Sequence, residues 1–105
     1  MVSRAEALER ARELAAAGAI VILRNPQRDL ENLGYDIDDV CDCLQELVAE
    51  DIDKTMEDQY RDDCCVLEFK PISYGEDELY LKISVPEEMN QMLIVLSFKL
   101  WGSPR

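Results

Sequence analysis

The chain contains no histidine, which leaves few side chains that could transfer a proton or hold an anion near neutral pH. Residues 78 to 85 alternate between two faces, one with Leu79, Leu81, Ile83 and Val85 and the other with Tyr80, Lys82 and Ser84. Lys99 can lie on the same side as Tyr80 if the register of the next strand permits. This polar face is either equipped for chemistry or simply the solvent side of an antiparallel sheet.

Cysteines and carboxylates are the other groups that could bind a ligand. The C-x-C and C-C spacings of Cys41, Cys43, Cys64 and Cys65 are not those of a zinc knuckle, and there is no histidine to complete a ligand set. The acidic cluster of Asp58, Asp62 and Asp63 falls on a predicted loop without a glycine-bearing calcium pattern. We therefore expect reduced, mostly buried cysteines, and neither a metal ion nor a cofactor.

The charge balance, with 11 basic and 23 acidic residues, is unfavourable for a nucleic-acid function because phosphate binding normally needs a basic surface. The acidic residues are concentrated in the middle of the chain. Residues 29 to 63 contain two basic and fourteen acidic groups, whereas residues 1 to 28 contain five and three. The middle third is thus a solvated face, or a surface that repels nucleic acid or docks a basic partner.

Two main helices are predicted in the first half of the chain. Ser3 and Glu6 form a capping-box pattern before apolar residues at helical spacing, and Gly18 supplies a stop, which predicts a helix over residues 4 to 17. A second helix is predicted over residues 37 to 49, with Asp36 as N-cap and an acidic outer face. Residues 20 to 23 form an edge strand or an extended connection that ends at Asn25-Pro26.

The second half changes to a strand period. Asp51 is expected to cap a short helical turn over residues 52 to 56, and residues 57 to 63 to form a loop. Alternation then predicts three antiparallel strands over residues 64 to 70, 78 to 85 and 91 to 100, with hairpins at residues 74 to 77 and 86 to 90. The last strand is expected to have Met92, Ile94, Leu96 and Phe98 on one face and Leu93, Val95, Ser97 and Lys99 on the other.

These elements predict one α+β domain over residues 1 to 105, in which two main helices pack on one face of a small antiparallel sheet. The longest uninterrupted apolar stretch, residues 92 to 96, is far shorter than a bilayer span, and the first residues lack the apolar region of a signal peptide. We therefore expect a cytoplasmic protein with no membrane partner.

Several short segments, taken in order, resemble the MqsR (motility and quorum-sensing regulator) family of bacterial toxins, which have a RelE-like fold. The segments are Asp53-Lys54-Thr55-Met56, Phe69-Lys70-Pro71, Leu79-Tyr80-Leu81-Lys82-Ile83, Leu93-Ile94-Val95 and Ser97-Phe98-Lys99. The similarity also reaches residues 14 to 18 and 33 to 41. The resemblance implies a ribosome-independent endoribonuclease that cleaves single-stranded mRNA and arrests growth, together with a cognate antitoxin protein; a homodimer is left open.

Carried over residue by residue, the resemblance places the family's functional positions on Lys54, Tyr80 and Lys99. A glutamine that the family uses has no counterpart, because Val66 stands at the nearest aligned position. That departure leaves open a shifted alignment, an altered cleavage preference, or a catalytically weakened relative that acts as an acidic protein-interaction module.

Cleavage of RNA without a metal ion uses the 2′-hydroxyl as nucleophile, and it needs a base, an acid and cations for the phosphate charge. Tyrosine and lysine ordinarily titrate near ~10 and ~10.4, so either would need a lowered pKa to act as a base. We assign proton transfer to Tyr80 and stabilisation of the phosphate charge to Lys99 and Lys54. RNA binding is assigned to Lys82, Lys70 and Trp101. Which residue acts as the general base is left open. Tyr60 and Tyr74 are further candidates for stacking on bases.

Overall fold

The computed structural model describes residues 3–88 and 90–102, and these form three α-helices, a short 3-10 turn and six strands. The helices are α1 (Arg4–Ala16), α2 (Arg24–Asn32) and α3 (Ile37–Glu46), and the 3-10 turn is Ala49–Asp51. The strands are β1 (Ile20–Ile22), β2 (Ile52–Glu57), β3 (Cys64–Phe69), β4 (Ile72–Tyr74), β5 (Asp77–Pro86) and β6 (Leu93–Leu100).

The strands form one sheet in the order β1-β6-β5-β3-β2, and β4 pairs with the start of β5. The predicted antiparallel pairing of β3, β5 and β6 is confirmed, but a purely antiparallel sheet is wrong. Ile20 to Ile22 pair in parallel with Leu93 to Val95, which makes the sheet mixed. Two parallel strands that are neighbours in a sheet must be joined by a long crossover connection. Here the connection from β1 to β6 contains α2, α3 and the strands β2 to β5.

The helices α1 and α3 are confirmed, with the predicted caps. The Ser3 side chain accepts from the Glu6 amide at 3.2 Å. The Asp36 side chain accepts from the amides of Asp38 and Asp39, and the Asp39 carboxylate accepts from the Asp36 amide at 2.9 Å. These caps satisfy amides that have no partner within the helix. The end of α3 at Glu46 comes three residues earlier than expected.

The helix α2 corrects the prediction that an extended segment ends at Asn25-Pro26. Pro26 is the third residue of α2, in the first turn, where a missing amide hydrogen costs no intrahelical bond. Pro26 and Leu30 are the buried residues of this helix, which packs against β6. The sheet therefore has three helices around it rather than two.

The expected helical turn over residues 52 to 56 is wrong, since these residues form β2. Asp51 caps the preceding 3-10 turn, where its side chain accepts from the Val48 amide at 2.9 Å. The chain then extends and pairs with β3 along Ile52 to Glu57. Lys54 consequently lies within the sheet and not before it.

One irregularity in β6 determines which of its side chains face the core. Lys82 pairs with Ser97 and Ile83 with Val95, so Leu96 is an extra residue in β6. Such a bulge shifts the alternation of a strand by one residue. Leu93, Val95 and Phe98 are therefore all buried in the core, and the regular alternation predicted for this strand is wrong at Leu96.

The core lies between the sheet and the layer formed by α1 and α3. Its buried side chains are contributed by α1 (Ala7, Leu8, Ala11, Leu14, Ala15), α3 (Val40, Cys43, Leu44) and the sheet (Leu67, Phe69, Leu79, Leu81, Ile83, Val85, Leu93, Val95, Phe98). All four cysteines are free and buried or half-buried, as predicted, and burial raises the pKa of each thiol, to about 12 for Cys43. Within the described residues, no helix has the length and apolarity needed to cross a membrane.

The arginines of α1 attach this helix to the rest of the fold. Arg4, Arg10 and Arg12 donate to the backbone carbonyls of Ile52, Pro86 and Leu44 at 3.1, 3.4 and 3.0 Å. Each guanidinium thus satisfies a carbonyl of another element.

Two tyrosines fix the N-terminus of α3 against the β4–β5 hairpin. The Tyr74 hydroxyl donates to Asp39 at 2.7 Å, and the Tyr35 hydroxyl donates to Asp77. The two rings pack edge to face at 5.5 Å. The bond to Asp39 raises the pKa of Tyr74 and lowers that of Asp39, and the bond to Asp77 raises the pKa of Tyr35 to about 12. The Tyr74 ring and hydroxyl therefore both pack within the fold, and its role in stacking on bases stays a prediction.

Replacing Tyr74 with Phe should lower the free energy of unfolding at pH 8 by about 1.5 kcal/mol, since the bond lost is one to a charged acceptor. A tyrosine whose pKa is raised by folding stabilises the native state fully below its unfolded pKa of 10.0, and this contribution declines as the pH rises further. The difference in free energy of unfolding between wild type and Tyr74→Phe should therefore become smaller above pH 10. Urea titrations at pH 8 and pH 10.5 measure it.

The matched control is Tyr60→Phe, because the Tyr60 side chain is 93% exposed. It should leave the urea midpoint unchanged at both pH values. A constant difference between wild type and Tyr74→Phe across the pH range would contradict the assigned role of the hydroxyl.

Candidate active site

The face of the sheet opposite α1 and α3 contains a row of charged side chains. Lys54 of β2 pairs with Glu68 of β3, Glu68 pairs with Lys82 of β5, and Lys82 pairs with Ser97 of β6. Cross-strand partners on one face have their Cβ atoms about 5 Å apart. One glutamate therefore lies between two lysines across the strands. We call this surface the open face.

Tyr80 lies next to this row, and its ring has neighbours on several sides. Its hydroxyl donates to Glu68 Oε2 at 2.7 Å, which joins it to the charged row. The Lys99 ammonium lies 5.7 Å from the ring centroid, and the Trp101 ring lies 5.8 Å away at 59°. A cation at this distance is attracted by the electrons of the ring. These contacts orient the Tyr80 hydroxyl.

The structure brings together most of the residues that the sequence assigned to the site. Tyr80 and Lys99 are direct cross-strand partners, so the register of β5 and β6 places them on the same side of the sheet. Lys82 lies on the same face. Lys54 lies two strands away from Lys82, with Glu68 as the cross-strand partner of both. Trp101 is 46% exposed beside Tyr80. Lys70 is exposed just after the last residue of β3, away from the row itself.

A cleft of about 680 Å³ lies beside Lys82 and Lys99 on the open face. One wall is α2, with Asn25, Pro26, Arg28 and Asp29; the other is the segment Met56, Glu57, Asp58, Gln59 and Tyr60; the floor includes Val66, Lys82, Ser97 and Lys99. Its volume is in the range of small-molecule sites. Tyr60 projects at its rim, with a side chain that is 93% exposed.

The loop that forms one wall of this cleft is attached to the sheet by a buried polar network. Arg61 donates to the carbonyls of Met92 and Ser84 at 2.9 and 3.0 Å, and to the Ser84 hydroxyl at 2.8 Å. The Ser84 hydroxyl donates to Asp58, which also accepts from the amides of Tyr60 and Arg61. Burial opposes ionisation of Asp58, but these bonds and the Arg61 charge hold its pKa below the usual value. Asp58 and Arg61 are thus committed to holding the loop.

Sequence reasoning missed Glu68 and the cleft. The signal for Glu68 was present, because it is an acidic residue at an alternating position in the apolar run Cys64 to Phe69. Val66, where the resemblance places a glutamine, is buried in the cleft floor, and Glu68 is the next residue on the same face of β3. No sequence pattern indicates the cleft, since one of its walls is α2, a helix that the sequence did not predict.

A family model described as motility quorum-sensing regulator, toxin of MqsA, matches residues 5–100 of this chain. A search of curated proteins gave no match. The family match covers all the described strands and helices except for the first residue of α1. The protein therefore belongs to the MqsR family of toxins of toxin–antitoxin systems.

Proposed function

We propose that this toxin is an endoribonuclease that cleaves single-stranded mRNA on the open face, without a ribosome or a metal ion. The observation that supports this most directly is the placement of Tyr80 on the same face of the sheet as Lys54, Lys82 and Lys99 in a protein whose net charge is −12. The chain has four lysines, and three of them belong to this face. A local concentration of cations is what a phosphate group requires.

The proposed reaction is attack of a ribose 2′-oxygen on the adjacent phosphorus, with breakage of the bond to the 5′-oxygen. The negative charge that builds up on the phosphate oxygens is stabilised by the ammonium groups of Lys99 and Lys54. The Tyr80 phenol donates its proton to the departing 5′-oxygen. A phenol suits this role because it is ordinarily protonated at neutral pH.

The surroundings of the site supply contacts for the rest of the strand. Lys82 and Lys99 line the cleft, which is large enough for a nucleotide, and the exposed Tyr60 ring at its rim offers a stacking surface. Trp101 offers another on the far side of Tyr80, and Lys70 a further cation. Lys82, Lys70 and Trp101 are therefore proposed to bind RNA, with Tyr60 added to them.

A catalytically weakened interaction module is the second candidate, and Val66 favours it. This apolar side chain occupies the cleft floor at the position where the resemblance places a glutamine. Such a protein would still bind its antitoxin but would leave RNA intact. The two candidates differ in their effect on RNA.

The antitoxin that the family implies is proposed to bind the helical layer rather than the open face. Asp38, Asp42 and Glu46 are exposed on α3, and Glu6, Glu9 and Glu13 are exposed on α1. A basic partner complements this surface. A homodimer stays a prediction without an assigned surface.

The purified protein should cleave a long single-stranded RNA in a buffer with chelator and without ribosomes. Replacing Lys99 with Ala should reduce the cleavage rate by a factor of about 10², by analogy with the removal of one transition-state donor. The melting temperature should change little, because the Lys99 side chain lies outside the core. Arg24→Ala is the control, since Arg24 is exposed at the start of α2 and does not line the cleft. Intact RNA with the wild-type protein would favour the interaction module.

Replacing Tyr80 with Phe removes one hydroxyl and keeps the ring that packs on Trp101. The rate of cleavage should fall by about 10² or more, because proton donation to the leaving oxygen is lost. Single-turnover assays measure this, with near-ultraviolet circular dichroism as a check on ring packing. A Tyr80→Phe variant that cleaves at the wild-type rate would place proton transfer on another group.

Expression of the toxin alone should stop growth, and co-expression of the neighbouring gene product should restore it. Reversing charge on α3 with Asp38→Lys and Asp42→Lys should weaken antitoxin binding by at least tenfold and leave RNA cleavage by the free toxin unchanged. Calorimetric titration measures the first effect. Unchanged affinity would place the antitoxin on another surface.

A further inference from the structure

We propose that Glu68 is the general base of the reaction: its carboxylate takes the proton from the 2′-hydroxyl that attacks the phosphorus. This inference rests on the proposed ribonuclease function and names the group that the sequence left open. Glu68 is half-buried on β3, and Lys54 and Lys82 are its cross-strand partners on either side. A phosphate held by these lysines is therefore brought next to the carboxylate.

The hydrogen bonding of Glu68 is suited to this role. Oε2 accepts the Tyr80 hydroxyl at 2.7 Å, which fixes the orientation of the carboxylate. An ionised carboxylate has about four acceptor sites on its two oxygens, so Oε1 can accept from a substrate hydroxyl while Oε2 keeps its bond until Tyr80 gives its proton to the leaving oxygen. A base that is oriented by a second group is the usual arrangement in acid–base catalysis.

The other groups near the site are less suited to accept a proton. Lysine and tyrosine side chains are ordinarily protonated at neutral pH, whereas carboxylates are ionised. Three carboxylates line the cleft walls. Asp58 already accepts from the Ser84 hydroxyl and two backbone amides, and neither Asp29 nor Glu57 is a cross-strand partner of a lysine of the open face. Glu68 combines a carboxylate acceptor with a position beside the lysines that are proposed to hold the phosphate.

The complete step balances in protons. The 2′-oxygen gives its proton to Glu68 and forms a bond to phosphorus, while the bond from phosphorus to the 5′-oxygen breaks and that oxygen takes the proton of Tyr80. The products are a cyclic 2′,3′-phosphate and a free 5′-hydroxyl. Glu68 is left protonated on Oε1 and Tyr80 as phenolate. Rotation of the carboxyl group turns this O–H toward the Tyr80 oxygen, its neighbour in the resting protein, and the phenolate takes the proton back. This return is favourable because a phenol is ordinarily the weaker acid.

The test is Glu68→Gln, which keeps an oxygen that can accept from Tyr80 but is not basic. In single-turnover cleavage of an RNA oligonucleotide, the rate should fall by about 10² or more. Affinity for the same oligonucleotide with 2′-O-methyl groups should stay the same or increase, since a negative charge is removed. The wild-type rate should decline at acidic pH, and this decline should be absent from Glu68→Gln. Glu76→Gln, at an exposed glutamate in the turn between β4 and β5, is the charge-matched control.

Glu68→Asp adds a second measurement, because it keeps a carboxylate one methylene further back and should retain more activity than Glu68→Gln. Wild-type cleavage by Glu68→Gln, or a loss of rate that matches an equal loss of affinity, would overturn the assignment. So would an acidic decline that persists in Glu68→Gln. Absence of cleavage by the wild-type protein would instead refute the proposed function itself, so the two failures can be told apart.

Discussion

A single extra residue in β6 determines which side chains meet on the open face. Without Leu96 as a bulge, the alternation set by Leu93 and Val95 would continue, and Lys99 would point into the core while Phe98 pointed out of it. With it, Phe98 is fully buried and Lys99 lies over the Tyr80 ring. The hydrophobic core and the cationic surface thus depend on the same shift in register, because burial of Phe98 stabilises the arrangement that exposes Lys99.

The basic residues are divided between two uses. The arginines of α1 and the 58–63 loop donate to backbone carbonyls and hold elements together, whereas Lys54, Lys82 and Lys99 stand on the open face. The difference suits the side chains, since a guanidinium has five directed donors and an ammonium is a compact charge. Most of the excess carboxylates belong to residues 29 to 63, which contribute Lys54 to the row on the open face and Asp29, Glu57 and Asp58 to the walls of the cleft beside it.

Periodicity and capping predicted α1, α3 and the three central strands because each has a clear apolar repeat and clear ends. They failed where tertiary pairing outweighs local signals. Pro26 was taken as a stop although a first helical turn accepts it, and residues 52 to 57 are extended because β3 pairs with them. Tyr80 and Lys99 were placed by alternation and resemblance together. The alternation of β3 marks Glu68 as an outward-facing carboxylate, but its position between two lysines depends on the order of β2, β3 and β5.

The network of Asp58, Arg61 and Ser84 has a further consequence for the loop that contains Tyr60. It fixes the backbone beneath Tyr60 while leaving the ring exposed. The conformational entropy of ordering that loop is lost during folding and not on binding. Under the proposed ribonuclease function the ordering cost then falls on the RNA, so a strand whose bases are already unpaired and stacked has an advantage over one that must first unfold.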